Sequence, residues 1–165
     1  MKKLLLLCTI LISTVSIGQN IKALDKKYGF RDAIFEMPFE SFNNLEEYLP
    51  GYYNSKNENL SLGKYALTQV DYGFYKGKLS TINIDIKGEI NGNGILEIFQ
   101  AAYGNGLYQK KDDGENYIWS GNKVSMVYSK KIGSDRISIY MWSNKLEKLR
   151  EDEKNRANIE AAKLL

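Results

Sequence analysis

The stretch Val70-Asp71-Tyr72-Gly73-Phe74-Tyr75-Lys76-Gly77-Lys78-Leu79-Ser80-Thr81-Ile82-Asn83-Ile84-Asp85-Ile86 decides the fold. Apolar residues stand at every second position on both sides of a Lys-Gly break, aromatic before it and β-branched after it. That is the pattern of a β-hairpin with one buried face. Val70, Tyr72 and Phe74 share one face of the first strand, and Ile82, Ile84 and Ile86 share one face of the second. Both sets must lie on the same side of the sheet to build one core. A two-residue Lys76-Gly77 loop pairs Tyr72 with Thr81 and turns the isoleucines outward. A three-residue loop, Tyr75-Lys76-Gly77, pairs Val70 with Ile82 and places Gly77 where a left-handed residue forms a bulge, so a bulged turn is expected.

Upstream, residues 33–37 read as a short first strand. Pro38 opens an expected helix in which Phe39, Phe42, Leu45 and Leu49 follow helical spacing, and Pro50-Gly51 stops it. Residues 52–61 are rich in Asn and Ser, have no period and read as a loop. Downstream, residues 88–94 read as a turn. Asn93 is placed to cap a helix carrying Ile95, Ile98, Phe99 and Ala102 on one face, which Gly104 ends. Asn91-Gly92-Asn93-Gly94 begins like a dinucleotide-binding fingerprint, but Glu97 stands where the third glycine belongs, so a turn followed by a cap is expected.

A second sheet segment follows. A Gly121-Asn122 turn pairs Trp119 with Val124 and Tyr117 with Met126, and a loop over residues 130–135 pairs Met126 with Ile139 and Tyr128 with Ile137. Tyr117, Trp119, Val124, Met126, Tyr128, Ile137, Ile139 and Met141 then form a core face. Ile118, Lys123, Ser125, Val127, Tyr140 and Trp142 fall on the other side, with Ile118, Ser125 and Tyr140 in one row. Ile118, Val127, Tyr140 and Trp142 make that side more apolar than a solvated face; either the C-terminal helix covers it through Leu146 and Leu149 or a partner does, and these four are the candidate partner-binding residues. Residues 144–165 form a charged helix by propensity, with Asn144 and Glu147 spaced as a capping box. Ion pairs are expected for Glu147 with Arg150, Asp152 with Arg156 and Glu160 with Lys163, and Leu146 and Leu149 are expected to dock on the sheet.

The N-terminus directs localisation. Lys2 and Lys3 precede an apolar run from Leu4 to Ile17, too short to span a membrane, and the small residues Ser16 and Gly18 place a signal-peptidase cut between Gly18 and Gln19. The expectation is an exported protein, periplasmic or secreted. A lipid anchor on Cys8 is disfavoured because Leu7, not a small residue, precedes it. Cleavage of the first 18 of 165 residues leaves 147, enough for a single domain, and loss of Lys2 and Lys3 lowers the net charge from +3 to +1. A near-neutral chain of mixed charge offers no electrostatic footprint for nucleic acid or an anionic membrane.

Absences bound the chemistry. The chain has no His, and its one Cys, Cys8, is lost on cleavage, so Ser-His-Asp and Cys-His catalysis and ordinary zinc sites fall away and no cofactor or metal is called for. Lys110-Lys111-Asp112-Asp113-Gly114-Glu115-Asn116 lacks calcium-loop spacing and reads as a solvated turn. Carboxylate chemistry remains. A glycosidase needs two carboxyls about 5 to 10 Å apart with one in an apolar setting. Asp71 and Asp85 share the outer face of the first hairpin on different rows, where they read as solvated strand residues.

The expected order is strand, helix, hairpin, helix, three strands, helix. This is an α+β fold in which helices cover one face of an antiparallel sheet, with residues 42–86 and 95–141 as helix-hairpin half-repeats. One domain over residues 19–143 is followed by the charged helix or tail over residues 144–165. The string Tyr72-x-Phe74-x-x-Gly77-x-Leu79-x-x-Ile82, after Phe39-Glu40-Ser41-Phe42, resembles the small exported modules of the SmpA/BamE and β-lactamase-inhibitor-protein type. Leu49-Pro50-Gly51 departs from their Leu-Gly-x-Pro helix exit. The resemblance implies a non-catalytic protein that binds another protein in the cell envelope through a sheet face or edge. The alternative is a carboxylate-dependent glycan hydrolase or a carbohydrate-binding protein, with tyrosines and tryptophans stacked on sugar rings.

Overall fold

The computed structural model describes residues 18–164; the expected export segment, with Cys8, lies outside them except for Gly18. The described chain runs through α1 (Ile21–Lys27), β1 (Gly29–Phe30), β2 (Ala33–Ile34), a single 3-10 turn (Phe39–Ser41), β3 (Leu45–Leu49), β4 (Tyr52–Ser55), β5 (Ser61–Leu62) and β6 (Tyr65–Ala66). It continues with β7 (Gln69–Tyr75), β8 (Lys78–Lys87), α2 (Glu89–Tyr103), β9 (Leu107–Lys111), β10 (Gly114–Ser120), β11 (Val124–Lys131), β12 (Arg136–Ser143) and α3 (Asn144–Ala162). This is a mixed α+β fold. Eight strands form one antiparallel sheet in the order β3-β4-β7-β8-β12-β11-β10-β9, and β1-β2 and β5-β6 are small separate hairpins.

The hairpin of β7 and β8 lies at the middle of the sheet and buries Val70, Tyr72, Ile82, Ile84 and Ile86 as read from the sequence; Phe74 is only half-buried, and Leu79, beside the turn, is buried in addition. Its turn differs from the expected three-residue loop. Lys76 and Gly77 alone make the connection, both at positive φ (51° and 71°), with Tyr75 opposite Lys78 and Phe74 opposite Leu79. Such a turn has the twist that antiparallel strands prefer. The parity conflict is resolved inside β8, where Ser80 is inserted as a bulge and its hydroxyl donates to the Gly73 carbonyl at 3.0 Å. Beyond the bulge Tyr72 faces Ile82 and Val70 faces Ile84, two residues from the expected Val70–Ile82 pairing.

The second sheet segment shows the same two-residue offset. Trp119 pairs with Met126 and Tyr117 with Tyr128, and Met126 pairs with Met141 and Tyr128 with Ile139. The turn residues are Asn122 and Lys123, closed by Gly121 N–H to the Val124 carbonyl at 2.9 Å. Asp25 fixes this choice by accepting the N–H groups of Asn122, Lys123 and Val124 at 2.9, 2.8 and 3.1 Å. Burial works to raise its pKa, and these three N–H groups outweigh that and hold the carboxyl below the usual range. The core face is as expected, except that Tyr117 is half-buried.

Three expectations upstream of the hairpin are corrected. Residues 38–49 are not a helix: after the 3-10 turn, Asn44 adopts positive φ (59°), and Leu45–Leu49 is an edge strand paired with β4. Pro50-Gly51, with Gly51 at φ 78°, is the hairpin turn between β3 and β4 and not a helix stop, and the expected loop over residues 52–61 contains β4. The half-repeat fails with the helix it needed.

The helix α2 begins at Glu89, so Asn91-Gly92-Asn93-Gly94 is its first half and not a turn. Both glycines are buried because the helix lies against the core. A Cβ on Gly92 would overlap the Ile137 side chain, and one on Gly94 would overlap the Tyr65 ring. Ile95 and Phe99 point into the core, while Ala102 is exposed. The charged run does turn, at Asp112-Asp113, but it also holds the end of β9 and the start of β10, and β9, which pairs with β10, is a strand that sequence reading missed. In α3 the cap is Ser143, one residue before the expected Asn144, and its hydroxyl accepts from Leu146 N–H. Leu146 is buried but Leu149 is 44% exposed, so only the first of the two docks. Glu147–Arg150 and Glu160–Lys163 pair as expected, whereas Arg156 approaches Glu153 at 3.9 Å and not Asp152.

Candidate functional site: the outer face of the sheet

The strand registers place side chains in rows across the sheet. One row runs Leu107, Ile118, Val127, Tyr140, Asn83, Asp71, Asn54 and Glu46. The neighbouring row contains Ser120, Ser125, Trp142, Thr81, Gly73 and Tyr52. The outer face is therefore two surfaces joined at β12, apolar and aromatic toward β9, and rich in carboxylates and amides toward β3.

The apolar half carries all four candidate residues. Ile118, Val127 and Tyr140 stand directly opposite one another, which corrects the expected row of Ile118, Ser125 and Tyr140. The two-residue offset leaves Ile118, Ser125, Val127, Tyr140 and Trp142 on their expected face while changing their neighbours, and moves Lys123 from that face into the turn. Trp142 follows Tyr140 on β12 with ring centroids 5.5 Å apart. All four are half-buried. Leu107, missed in the sequence because it lies beside a charge run, is 58% exposed and carries the row onto the edge strand β9. The helix α3 reaches this same side of the sheet. Glu153 accepts from the hydroxyl of Tyr75 and from Lys76, and Arg150 stands beside Tyr140, whose hydroxyl pKa burial pushes up.

The polar half holds two carboxylates that the sequence read as solvated. Asp71 and Asp85 are 3% and 5% exposed. They lie on the two central strands, and side chains from both flanks close over them. Asp71 accepts from Gln69 Nε2 at 2.6 Å and Asn83 Nδ2 at 3.4 Å. The hydroxyl of Tyr48, bulged out of β3, also stands on Asp71; burial and this carboxylate push the Tyr48 pKa up to about 12. Asp85 is held by Arg136 through Nη2 at 2.6 Å and Nε at 3.3 Å. Beside it a polar cavity of about 300 Å³ is lined by Asn83, Ser129, Lys131, Arg136 and Ser138. Both carboxylates are engaged within the fold. Among the described residues no three Asp or Glu side chains converge as a metal site, and no helix is long and apolar enough to cross a membrane.

Of the two residues flanking the expected cleavage point, Gln19 meets the edge of the sheet at β10. The side-chain amide of Gln19 donates to the Ile118 carbonyl at 2.9 Å and accepts from Ser120 N–H at 3.3 Å, completing the edge of β10 where β9 begins. Gly18 lies against Gly104, at the end of α2. Comparisons with protein-family models, curated proteins and solved structures find no match.

Proposed function

We propose that this chain is an exported, non-catalytic binding module of the cell envelope that holds a protein partner against Ile118, Val127, Tyr140 and Trp142. The observation that carries this reading is the unbroken row of Leu107, Ile118, Val127 and Tyr140, with Trp142 beside it, across four strands of the outer face. Half-exposed aromatic and β-branched side chains in such a row are the usual anchors of a protein interface. The resemblance to SmpA/BamE-like and inhibitor-protein-like modules supports the same class, and the Lys2-Lys3 lead with its apolar run supports export with cleavage between Gly18 and Gln19. A charged side chain at the centre of the row, as in Val127→Asp, abolishes partner capture if the row is the interface and leaves the fold intact.

A second reading rests on the polar half. Asp71, Asp85, Asn83 and Gln69 line the same face as Tyr48 and Tyr52, an arrangement that suits a polyhydroxylated ligand bound without hydrolysis. Titration with envelope glycan fragments separates the two readings, since saturable binding lost in Asn83→Ala and kept in Val127→Asp belongs to the second.

A further inference from the structure

The two edges of the eight-stranded sheet are complementary to each other. At one edge β3 reads Leu45-Glu46-Glu47-Tyr48-Leu49, and at the other β9 reads Leu107-Tyr108-Gln109-Lys110-Lys111. Every residue of β9, and every residue of β3 after Leu45, is exposed. Charged residues on an edge strand ordinarily oppose sheet-to-sheet association. Here each edge opposes only its own kind. Pairing β3 with β3 of another copy gathers four glutamates at the seam, and pairing β9 with β9 gathers four lysines, with no opposite charge in either case. Pairing β3 with β9 joins opposite signs.

Backbone alternation selects the register. The Lys56 N–H to Asn44 carbonyl bond fixes Asn44 and Glu46 as the β3 positions bonded to β4, which turns the N–H and C=O groups of Leu45 and Glu47 toward the open edge. The Gly121 N–H to Val124 carbonyl bond assigns the odd residues of β10 to β11 and the even ones to β9, so Tyr108 and Lys110 are the β9 residues whose peptide groups face outward. Setting Glu47 opposite Lys110 brings two outward-facing residues into one hydrogen-bonded pair and sets Glu46 opposite Lys111. Glu46 and Lys111 both belong to the outer face, and Glu47 and Lys110 both to the core side, so each charge pair meets on one side of the sheet. Because the sheet has an even number of antiparallel strands, a copy added this way continues the antiparallel order with its outer face on the same side.

We propose that this protein self-associates head to tail, the β9 edge of one copy pairing with the β3 edge of the next through Glu46–Lys111 and Glu47–Lys110. The contact is heterologous, so it leaves a free β3 and a free β9 at the ends of each assembly and adds copies in a row. Its competitors within the chain are weak: Glu46 now pairs with exposed Lys56, and Glu47 accepts the exposed Gly51 N–H. Five residues a side make a small interface, so the association is concentration-dependent and weakened by salt.

Sedimentation velocity of the exported chain over a concentration series tests it. The wild type shows a weight-average mass that climbs with concentration at low salt. Lys110→Glu/Lys111→Glu and Glu46→Lys/Glu47→Lys each weaken association at least tenfold, and an equimolar mixture of the two, in which each edge again meets its opposite, restores it to within threefold. Circular dichroism establishes that each variant is folded. Lys110→Pro, which removes an outward N–H without touching the bonds of β9 to β10, provides a second route to the same loss. A wild type monomeric at every concentration, association unchanged by either charge reversal, or a mixture as monomeric as its components overturns the proposal. None of the four charged residues belongs to the apolar half of the outer face, since Glu46 lies at the far, polar end of the row that carries Ile118, Val127 and Tyr140, so partner capture is read independently in the same variants.

Discussion

Trp119→Phe probes the anchor that holds the β9 edge and the apolar row in place. Trp119 is 1% exposed, and its indole N–H donates to the Gly104 carbonyl at 2.8 Å, tying β10 to the end of α2 immediately before β9. Gly106 passes so close to the ring that a Cβ there would lie 2.9 Å from it. Replacing indole by phenyl removes about 40 Å³ of side chain, which at about 24 cal/mol per Å³ of cavity costs about 1 kcal/mol. Loss of the hydrogen bond costs about 1 kcal/mol, and the buried Gly104 carbonyl left without its donor adds about 1 more. The total, about 3 kcal/mol, corresponds to a fall of about 6–12 °C in melting temperature for a chain of this length. Calorimetry at pH 7 reads the melting temperature and urea unfolding reads the free energy. Hydrogen exchange at the Leu107 amide should accelerate with it, because β9 is secured at that end. A loss below about 1 kcal/mol would mean that the indole is not the anchor and that the contact with Gly104 carries no energy.

Asp25→Asn tests the long-range clamp on the Asn122-Lys123 turn. Because the folded carboxyl titrates below its unfolded value of about 4, its contribution is present above that pH and is lost as pH falls through the folded value; the deficit of the variant in urea unfolding should be largest near pH 7 and vanish toward pH 2. Leu146→Ala should cost about 2–3 kcal/mol in the same assay, while Leu149→Ala should stay within about 0.5 kcal/mol, since only Leu146 is buried. Gly94→Ala gains about 1 kcal/mol of helix propensity but forces the new methyl into the Tyr65 ring, so a net loss of about 1 kcal/mol is expected. Combining it with Tyr65→Ala should remove the clash, giving a thermal stability well above the sum of the two single effects.

Alternation made the faces of the sheet legible and left its registers open. Period-2 patterning assigned Val70, Ile84, Trp119, Met126, Ile139 and their neighbours to the core and Ile118, Val127, Tyr140 and Trp142 to the other side, as the strands place them. A shift of two residues keeps every side chain on its face, so all three hairpins could differ from expectation by that step without disturbing the pattern. What set the registers was less visible. A serine bulge absorbed the parity conflict in β8, and Asp25, 97 residues upstream of Asn122, selected the turn after β10. The edge strand β3 was lost to a spacing of Phe39, Phe42, Leu45 and Leu49 that imitates a helix, although Asn43-Asn44 interrupts it. Burial of Asp71 and Asp85 was hidden for another reason. It depends on Tyr48, Gln69 and Arg136 converging from three strands, which no local pattern records.

The most direct test of the proposed interface is site-specific photo-crosslinking in the cell that makes the protein, with a photoreactive side chain at Val127 on the apolar row and at Asn59 as a control away from that row. One discrete adduct from position 127, absent from position 59 and suppressed by Tyr140→Asp in a protein that remains folded, is the expected result. No adduct from position 127, or one that Tyr140→Asp leaves undiminished, would contradict partner binding on the row of Ile118, Val127, Tyr140 and Trp142.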